Sequence, residues 1–520
     1  MQRLVTAAEM QTIDRRAAAD WGIAGPVLME NAGRAAADAI EHRFAPLCGR
    51  RFLIVCGKGN NGGDGFVIAR HLANRGALPL CLLLGRTSEL KGDARANADI
   101  LLKSGLPLRD VASAEELGPL LSGAGLSGTV LVDAIFGTGF SGAPQGLAAA
   151  AIRLLNDSGL PTVSIDIPSG VNADSGAVAA EAVNACLTVT MCLPKIGLYL
   201  YPGRAHSGCI EVADIGIPQH LLTEGATTFL ADDAFVRNHV PPRRPDGHKG
   251  TFGTCLVIAG SSGFSGAACL TAMAAVRSGA GLVRLAHPAS LSNVVESAVL
   301  EAVKHPLPET GAGTLSRAAL DPLLELTESA DSVAIGPGIS THPETRELVA
   351  ALLSGIDRPI VLDADGINCL TLDVLHSSLT SRNSPLVMTP HPGELARLIG
   401  STPNEVNADR VNTALSFSRR HGAVLLLKGA PTVIAEPQGT LFLNPTGNSG
   451  LGSGGTGDVL TGLIAGLIAQ KAKPLDATIC AAFLHGRAAD LAAADLTQYC
   501  VCASDVLNYL PRAFRSVLGC

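Results

Sequence analysis

The 520-residue sequence predicts an α/β protein of two domains, each built on a parallel sheet covered by helices. Three observations carry that expectation. Short apolar runs alternate with helical patterns along the chain, the order in which parallel strands are joined by crossover helices. The composition is 47% hydrophobic with 58 glycines and only 3% aromatic residues, which suits helices packed closely on sheets. Glycine-rich turns follow apolar runs in two separate sets, and at about 150 residues per domain the length exceeds one ordinary core.

In the amino-terminal half, Leu28, Ala32, Ala35, Ala36, Ala39 and Ile40 recur at helical spacing, predicting an amphipathic helix over residues 28–43. Phe52 to Cys56 reads as a strand, Gly57 to Gly65 as a glycine-rich turn, and Phe66 to Ala73 as a helix. Such a unit points a helix N-terminus at a phosphate. The turn is not the dinucleotide pattern GxGxxG, because Asn60, Asn61 and Asp64 place polar side chains in it, although Asn-Gly is also an ordinary turn former. Val130 to Phe136 and Val163 to Ile167 read as strands bearing Asp133 and Asp166, followed by the loops GTGFSGA and PSG. A carboxylate on a buried strand needs a partner or a cation. Three polar strand ends on the carboxyl edge of one parallel sheet therefore predict a ligand crevice.

The pattern loosens from Ile215, and the boundary is expected between 216 and 240, giving domains of 1–225 and 226–520. The basic stretch Pro241 to Gly250 reads as a connection by composition. Thr254 to Ala259 predicts a strand, GSSGFSGAA a turn, and Cys269 to Ser278 a helix. Ser332 to Ile335, Pro359 to Leu362, Pro385 to Met388 and Ala423 to Lys428 predict further strands, each ending in a polar turn. Pro431 to Leu443 with Gly439 predicts a hairpin, and a helix at Leu475 to Leu496 with a short tail closes the chain. The most informative stretch is Asn444 to Gly462, NPTGNSGLGSGGTGDVLTG, with six glycines ahead of Asp458 and an apolar run from Val459 to Leu467. It predicts a loop opening a helix, in which Gly450, Gly452, Gly454, Gly455 and Gly457 permit positive φ and close approach, so that N–H groups converge on an anion. Asp458 in the first turn either complements the helix dipole or, beside bound phosphate, takes a proton from an attacking hydroxyl. The loop lacks the Gly-Lys-Ser/Thr ending of a Walker A sequence.

A net charge of −7 gives no global attraction to nucleic acid or anionic lipid, so phosphate binding must come from local geometry. The charge-free run between Lys249 and Arg277 contains GSSGFSG and does not read as a membrane span. Arg3, Glu9, Asp14, Arg15 and Arg16 exclude a secretory signal in the first residues. Thirteen cysteines stand singly with no CxxC pair, and Cys56, Cys81, Cys192, Cys255 and Cys269 lie in apolar runs as buried small hydrophobes rather than disulfide or zinc partners. The expectation is a cytoplasmic protein acting on small molecules, with no nucleic-acid or membrane partner.

GNNGGDG, VDAIFGTGFSG and IDIPSGV, in that order and spacing, resemble the NAD(P)H-hydrate epimerase domain. Thr389 to Glu394, TPHPGE, together with GSGGTGD ending at Asp458, resembles the ADP- or ATP-dependent NAD(P)H-hydrate dehydratase branch of the ribokinase-like kinases. The resemblance covers the chain apart from about the first 25 residues and the junction. It implies an N-terminal Rossmann-like three-layer domain and a C-terminal ribokinase-like three-layer domain. It implies metabolite repair of the hydrates NADHX and NADPHX, by interconversion of their R and S forms and nucleotide-dependent dehydration of the S form. In that reaction the nucleotide phosphorylates the hydroxyl and phosphate then leaves.

Carried residue by residue, the epimerase substrate contacts implied by the resemblance are Asn60, Asn61, Gly62, Gly63, Asp64, Gly137, Thr138, Gly139, Phe140, Ser141, Gly142, Ala143 and Asp166. Its implied potassium (K+) ligands are Asn61, Asp133 and Ser169, although these oxygen donors do not distinguish potassium from sodium. Asp166 is the candidate for proton handling, and Lys195 is either an accessory to it or a solvated surface lysine. In the second half the implied hydrate contacts are Ala267, Gly338, His391 and Asp458, with Asp458 the catalytic base. The implied nucleotide contacts are Lys428, Gly429, Ala430, Pro431, Thr432 and Gly457. His391 stands between two prolines, which fix its backbone, and a structural role in the turn is the alternative. Asp363 and Asp365 either approach magnesium (Mg2+) or make a turn. The undivided chain resembles the bacterial pattern, implying ADP rather than ATP as co-substrate, and a homo-oligomer. A vitamin kinase fused to a binding domain is disfavoured by TPHPGE with NSGLGSGGTGD, and a scaffold without chemistry by the two strand aspartates.

Overall fold

The computed structural model describes residues 1–121, 126–380 and 382–519. The chain divides into two compact units, Arg3–Ala226 and Thr227–Cys520, the second including Met1–Gln2. In the first unit seven parallel strands lie in the order Leu108–Val111, Leu78–Leu84, Arg51–Cys56, Val130–Ala134, Thr162–Ile165, Leu187–Met191 and Cys209–Ala213. Successive side chains of a strand point to opposite faces, and here both faces are covered. Phe52, Ile54 and Cys56 join a core with Phe66, Leu72 and Leu101 from the helices Asn60–Asn74 and Gly92–Lys103. Leu53 and Val55 join a second core with Leu117, Ile152 and Leu155 from the helices Ala114–Leu121 and Gly146–Asp157. The result is the three-layer arrangement expected. Strand order reverses beside Arg51–Cys56, with Leu78–Leu84 on one side and Val130–Ala134 on the other, and a crevice opens at the carboxyl ends of strands flanking such a point.

The second unit carries an eleven-stranded sheet. Its parallel part runs from Val303–Leu307 through Leu282–Pro288, Thr254–Ile258, Ser332–Ile335, Ile360–Leu362 and Leu386–Met388 to Val424–Leu427. The antiparallel hairpin Thr432–Ala435 and Leu441–Asn444 follows as expected, and Thr228–Leu230 and Gln2–Arg3 complete the edge. Here the order reverses beside Thr254–Ile258. The helix Thr456–Ala469 is buried along almost its whole length and lies against Ser265–Arg277. Glycine permits the approach: a Cβ on Gly462 would stand 2.0 Å from the Thr271 carbonyl oxygen, and one on Gly466 would stand 1.9 Å from Ser278 Oγ.

Four expectations are corrected. Residues 60–65 are not turn but the first turns of the helix Asn60–Asn74: Gly62 packs against the Gly57 backbone, Gly63 against Met29 and Gly65 against Cys56 and Ala134, and none of the three has positive φ. The helix expected at Cys269 begins at Ser265. The closing tail is an amphipathic helix, Ala503–Leu518, whose Val506, Leu507, Leu510 and Val517 enter the core. Asp166 does not lie on the strand Thr162–Ile165 but just beyond it, at φ 69°.

Gly462→Val should cost the second unit about 1–3 kcal/mol or more by overpacking the helix pair. Gly266→Ala, where a Cβ meets nothing within 4 Å, should instead be neutral or stabilise by up to about 1 kcal/mol. Denaturant midpoints of the two variants check the contrast.

Candidate active sites

In the first unit the chain turns from strand to helix over glycines that allow backbone contact. A Cβ on Gly62 would lie 1.9 Å from the Gly57 oxygen, and one on Gly57 would lie 2.1 Å from the Ile135 oxygen. The tight entry carries Asn61 inward, where its Nδ2 donates to the carbonyls of Phe136 (2.8 Å) and Ile165 (3.2 Å). Its Oδ1 is buried and has no hydrogen-bond donor. Asp133 is fully buried, and both of its oxygens are engaged. Oδ1 accepts from Ser169 Oγ (2.6 Å) and the Ile135 N–H (3.2 Å), while Oδ2 accepts from Ser164 Oγ (2.8 Å) and the Ser169 N–H (2.9 Å). Burial still lifts its carboxyl above the ordinary range against those four donors. Asp133 therefore holds Ser169, whose Oγ accepts from the Phe136 N–H at 2.9 Å.

Asp166 is the centre of this cluster. Its Oδ2 accepts from the Thr138 N–H (3.0 Å) and its Oδ1 pairs with the Lys195 amine. Lys195 is 1% exposed, not a surface lysine, and its Nζ also donates to Thr190 Oγ1 (3.2 Å) and the Met191 carbonyl (3.0 Å). Burial raises the Asp166 carboxyl, but Lys195 and the N–H donors outweigh it and hold the group below its ordinary value. Asp64 is pushed well upward, first by burial and then by the Asp166 charge. Asp14, on the helix Ala7–Trp21, is pushed up to about 6, mainly by burial, with Lys195 opposing and Asp166 adding. Gly137 completes the group, since a Cβ there would lie 3.0 Å from Asp166 Oδ2 and 3.5 Å from Asn61. Phe140 stacks on Phe136 at 4.4 Å, whereas Asn60, Gly139, Ser141, Gly142 and Ala143 are exposed.

In the second unit two strand ends meet the start of the helix Thr456–Ala469. Lys428, beyond Val424–Leu427, donates from Nζ to Asp363 Oδ1 at 2.7 Å, and Asp363, beyond Ile360–Leu362, accepts on Oδ2 from Thr461 Oγ1 at 2.7 Å. Asp363 is 1% exposed. Gly457 lies directly under the amine, for a Cβ there would stand 3.2 Å from Lys428 Nζ. Burial lowers the Lys428 pKa, but Asp363 and Glu394 more than reverse that and leave it raised. Asp458 is pushed up to about 7, by burial first and by Asp363 next, against the pull of Lys428. The N–H groups of Thr456 and Gly457 take no partner among the described residues. In the loop before them only Gly447 and Gly455 have positive φ, so Gly450, Gly452, Gly454 and Gly457 do not serve the left-handed role expected of them.

Ala267 and Gly338 adjoin, a Cβ on Gly338 lying 3.1 Å from that of Ala267, and Leu270, one turn on, reaches Gly455. His391 caps the helix Pro392–Ile399, its Nδ1 accepting from Gly393 (3.0 Å) and Glu394 (3.3 Å), and its side chain is 57% exposed. The Lys428 N–H donates to the Pro390 carbonyl at 2.9 Å, joining TPHPGE to the nucleotide-loop candidates Lys428, Gly429, Ala430, Pro431 and Thr432. Asp365 makes a turn, accepting from the Ser340 N–H (3.0 Å) and Asn368 Nδ2 (3.3 Å). With Asp363 tied to Lys428 and Thr461, these two carboxylates do not form a magnesium cage, and no group of three or more His, Cys, Asp or Glu placed for a metal occurs among the described residues.

Residues outside the sequence reading also shape the sites. Buried His485 is lowered to about 4 by burial, and as the neutral ring it donates from Nε2 to the Thr456 carbonyl at 2.9 Å. Asn444, Thr446, Gly447 and Asn448 bond to Ala482, Phe483 and Asp490 of the same helix, Pro474–Leu496. A histidine within an otherwise apolar run was the available signal. For Asp14 it was an acid amid the buried Met10, Ile13 and Ala17.

The pattern of the NAD(P)H-hydrate dehydratase family matches residues 255–512, and that of the YjeF-related protein N-terminus matches residues 25–197. The chain is 47% identical, over 99% of its length and 97% of the relative's, to the bifunctional NAD(P)H-hydrate repair enzyme Nnr of Moorella thermoacetica. It is 33% identical to the protein of the same name from Escherichia coli, over 96% of the chain and 91% of that protein. The ADP/ATP-dependent NAD(P)H-hydrate dehydratase of Bacillus subtilis, co-crystallised with ATP and Mg2+, superimposes with a TM-score of 0.50 at 32% identity, covering 55% of this chain and 98% of that one. No helix of the described residues is long and apolar enough to cross a membrane. With two strand-end sites in two α/β units, and relatives matching along its whole length, the chain belongs to the family of bifunctional NAD(P)H-hydrate repair enzymes.

Proposed function

We propose that the unit Arg3–Ala226 interconverts the R and S hydrates of NADH and NADPH, and that the unit Thr227–Cys520 dehydrates the S hydrate with ADP, or ATP, as phosphoryl donor. The observation that carries the second assignment is Asp458, a carboxylate whose pKa is lifted to about 7 beside Lys428 and at a helix N-terminus with unpartnered N–H groups. A base with a pKa near the working pH can take the proton from the hydrate hydroxyl as that oxygen attacks phosphorus. Lys428 and the Thr456 and Gly457 N–H groups would hold the transferred phosphoryl. Phosphate then leaves the ring carbon, a proton leaves the neighbouring carbon, and the double bond is restored. ADP is proposed as the natural donor on the bacterial pattern of the undivided chain.

Inversion at the hydroxylated carbon requires one C–O bond to break and another to form on the opposite face. The leaving oxygen needs a proton, and the incoming water must lose one. Asp64, held protonated by burial and the neighbouring charge, and Asp166, held ionised by Lys195, are suited to the two tasks. A potassium ion fits in the chemistry of its donors, because Asn61 offers a buried amide oxygen with no donor and Asp133 an unneutralised buried charge. Asn61 Oδ1 and Ser169 Oγ would hold it, with Asp133 behind them, and the ion would supply a fixed positive charge. Cytoplasmic action is supported by single cysteines buried at Cys56, Cys81, Cys192, Cys255 and Cys269. Assembly as a homo-oligomer rests on the resemblance alone.

Purified protein given mixed R and S hydrates with ADP should recover all of the NADH. Asp458→Asn should slow dehydration by roughly 10²–10⁴, the range for loss of a general base, while R and S still interconvert. In the unmodified protein kcat/KM for the S hydrate should fall as pH drops through about 7, since the base must be ionised; a flat profile from pH 5 to 8 would remove Asp458 from that role.

Lys195→Met should take away the charge that keeps the Asp166 pKa low. The acid limb of R-to-S interconversion should then move to higher pH, with dehydration of the S form unaffected. An unshifted limb would show that Lys195 does not act through Asp166.

A further inference from the structure

Arg410 opens the helix Arg410–His421, and its guanidinium reaches the loop that follows Val424–Leu427. Its Nη2 lies within hydrogen-bond distance of three carbonyl oxygens, those of Leu427 (3.1 Å), Lys428 (2.9 Å) and Pro431 (3.2 Å). Nη1 donates to Asn407 Oδ1 at 2.7 Å, and Nε is buried with no partner. Among the described residues no carboxylate pairs with this cation, and burial pushes its pKa down to about 10. A half-buried positive charge met only by carbonyl dipoles is an unusual investment for a loop brace.

The direction of those carbonyls matters more than their number. In a trans peptide the C=O and N–H point opposite ways. Turning the Lys428 carbonyl toward Arg410 therefore turns the Gly429 N–H away from it, and that N–H takes no partner among the described residues. The preceding N–H, that of Lys428, is already bonded to Pro390. Gly429 stands at φ 146°, and a Cβ there would lie 2.4 Å from Arg410 Nη2, so guanidinium and glycine fit only as a pair.

We propose that Arg410 is a positioning residue for the nucleotide: it fixes the Lys428–Gly429 peptide so that the Gly429 N–H is presented to the nucleotide's phosphates, and its unpaired charge strengthens that donor. The inference rests on the reading of Lys428 to Thr432 as nucleotide contacts. Lysine at this position keeps the charge but cannot reach several carbonyls with a planar fork.

The test measures dehydration of the S hydrate by full-length Arg410→Lys, Arg410→Gln and Gly429→Ala, with ADP and ATP varied, alongside R-to-S interconversion and the thermal midpoint. Arg410→Lys should raise the nucleotide KM by about tenfold or more, with the hydrate KM and interconversion within about twofold; Arg410→Gln should raise it further. If Gly429→Ala weakens nucleotide use while both arginine variants leave its KM unchanged, Arg410 only braces the fold and the inference is overturned. If Gly429→Ala also leaves the nucleotide KM unchanged, the loop assignment itself has failed. A rise in both KM values together with a lower midpoint in Arg410→Lys would likewise overturn it.

Discussion

A lysine amine held on a strand-end aspartate, fully buried at Lys195 and partly buried at Lys428, is the interaction on which both sites depend. Neither partner tolerates burial alone, because an uncompensated charge in the interior costs several kcal/mol. The pairs Lys195–Asp166 and Lys428–Asp363 each fix a side chain that would otherwise take many rotamers. Each also sets the protonation of its neighbours: the Asp166 charge raises Asp64, and the Asp363 charge raises Asp458. The chemistry differs between the sites because the neighbours differ. In the first unit the paired aspartate is itself the proposed acid–base group, whereas in the second Asp363 is tied to Lys428 and Thr461 and the half-buried Asp458 is the proposed one.

Glycine is what brings backbone close enough for these pairs to matter. At Gly62 and Gly457 the requirement is space, not dihedral freedom, since neither has positive φ and each faces an atom that a methyl group would meet. The same economy of volume packs Thr456–Ala469, the helix that carries Asp458, on Ser265–Arg277. Stability and site geometry are thus two consequences of one packing constraint.

Much of this was legible in the sequence because strand ends carry the chemistry. A short apolar run followed by an oddly placed polar residue marks the carboxyl edge of a parallel sheet, and Asn61, Asp133 and Lys428 lie at or near such breaks, whereas Asp458 is marked by the glycine-rich loop that opens its helix. Less legible was anything set by distant packing. GNNGGDG reads as a turn because glycine usually is one, yet residues 60–65 are helical, with Gly62 against the Gly57 backbone and Gly65 against Cys56 and Ala134. Lys195 looked equally like a surface residue, since its burial depends on Asp166 twenty-nine positions earlier. His391, carried over as a hydrate contact, is also a helix cap, a role its proline neighbours already suggested. Asp14, His485 and Arg410 belong to no motif, and the groups they face or bond to are remote in sequence.

Two separable sites, each with its own carboxylate, are proposed to share one chain. The most direct measurement is complementation: Asp166→Asn and Asp458→Asn variants are incubated separately and then mixed, with R and S hydrates and ADP, following NADH recovery by absorbance. Alone, the first should recover only the S portion and the second almost nothing, whereas the mixture should approach complete recovery at a rate set by the slower intact site. A mixture that recovers no more than Asp166→Asn alone would contradict two separable sites.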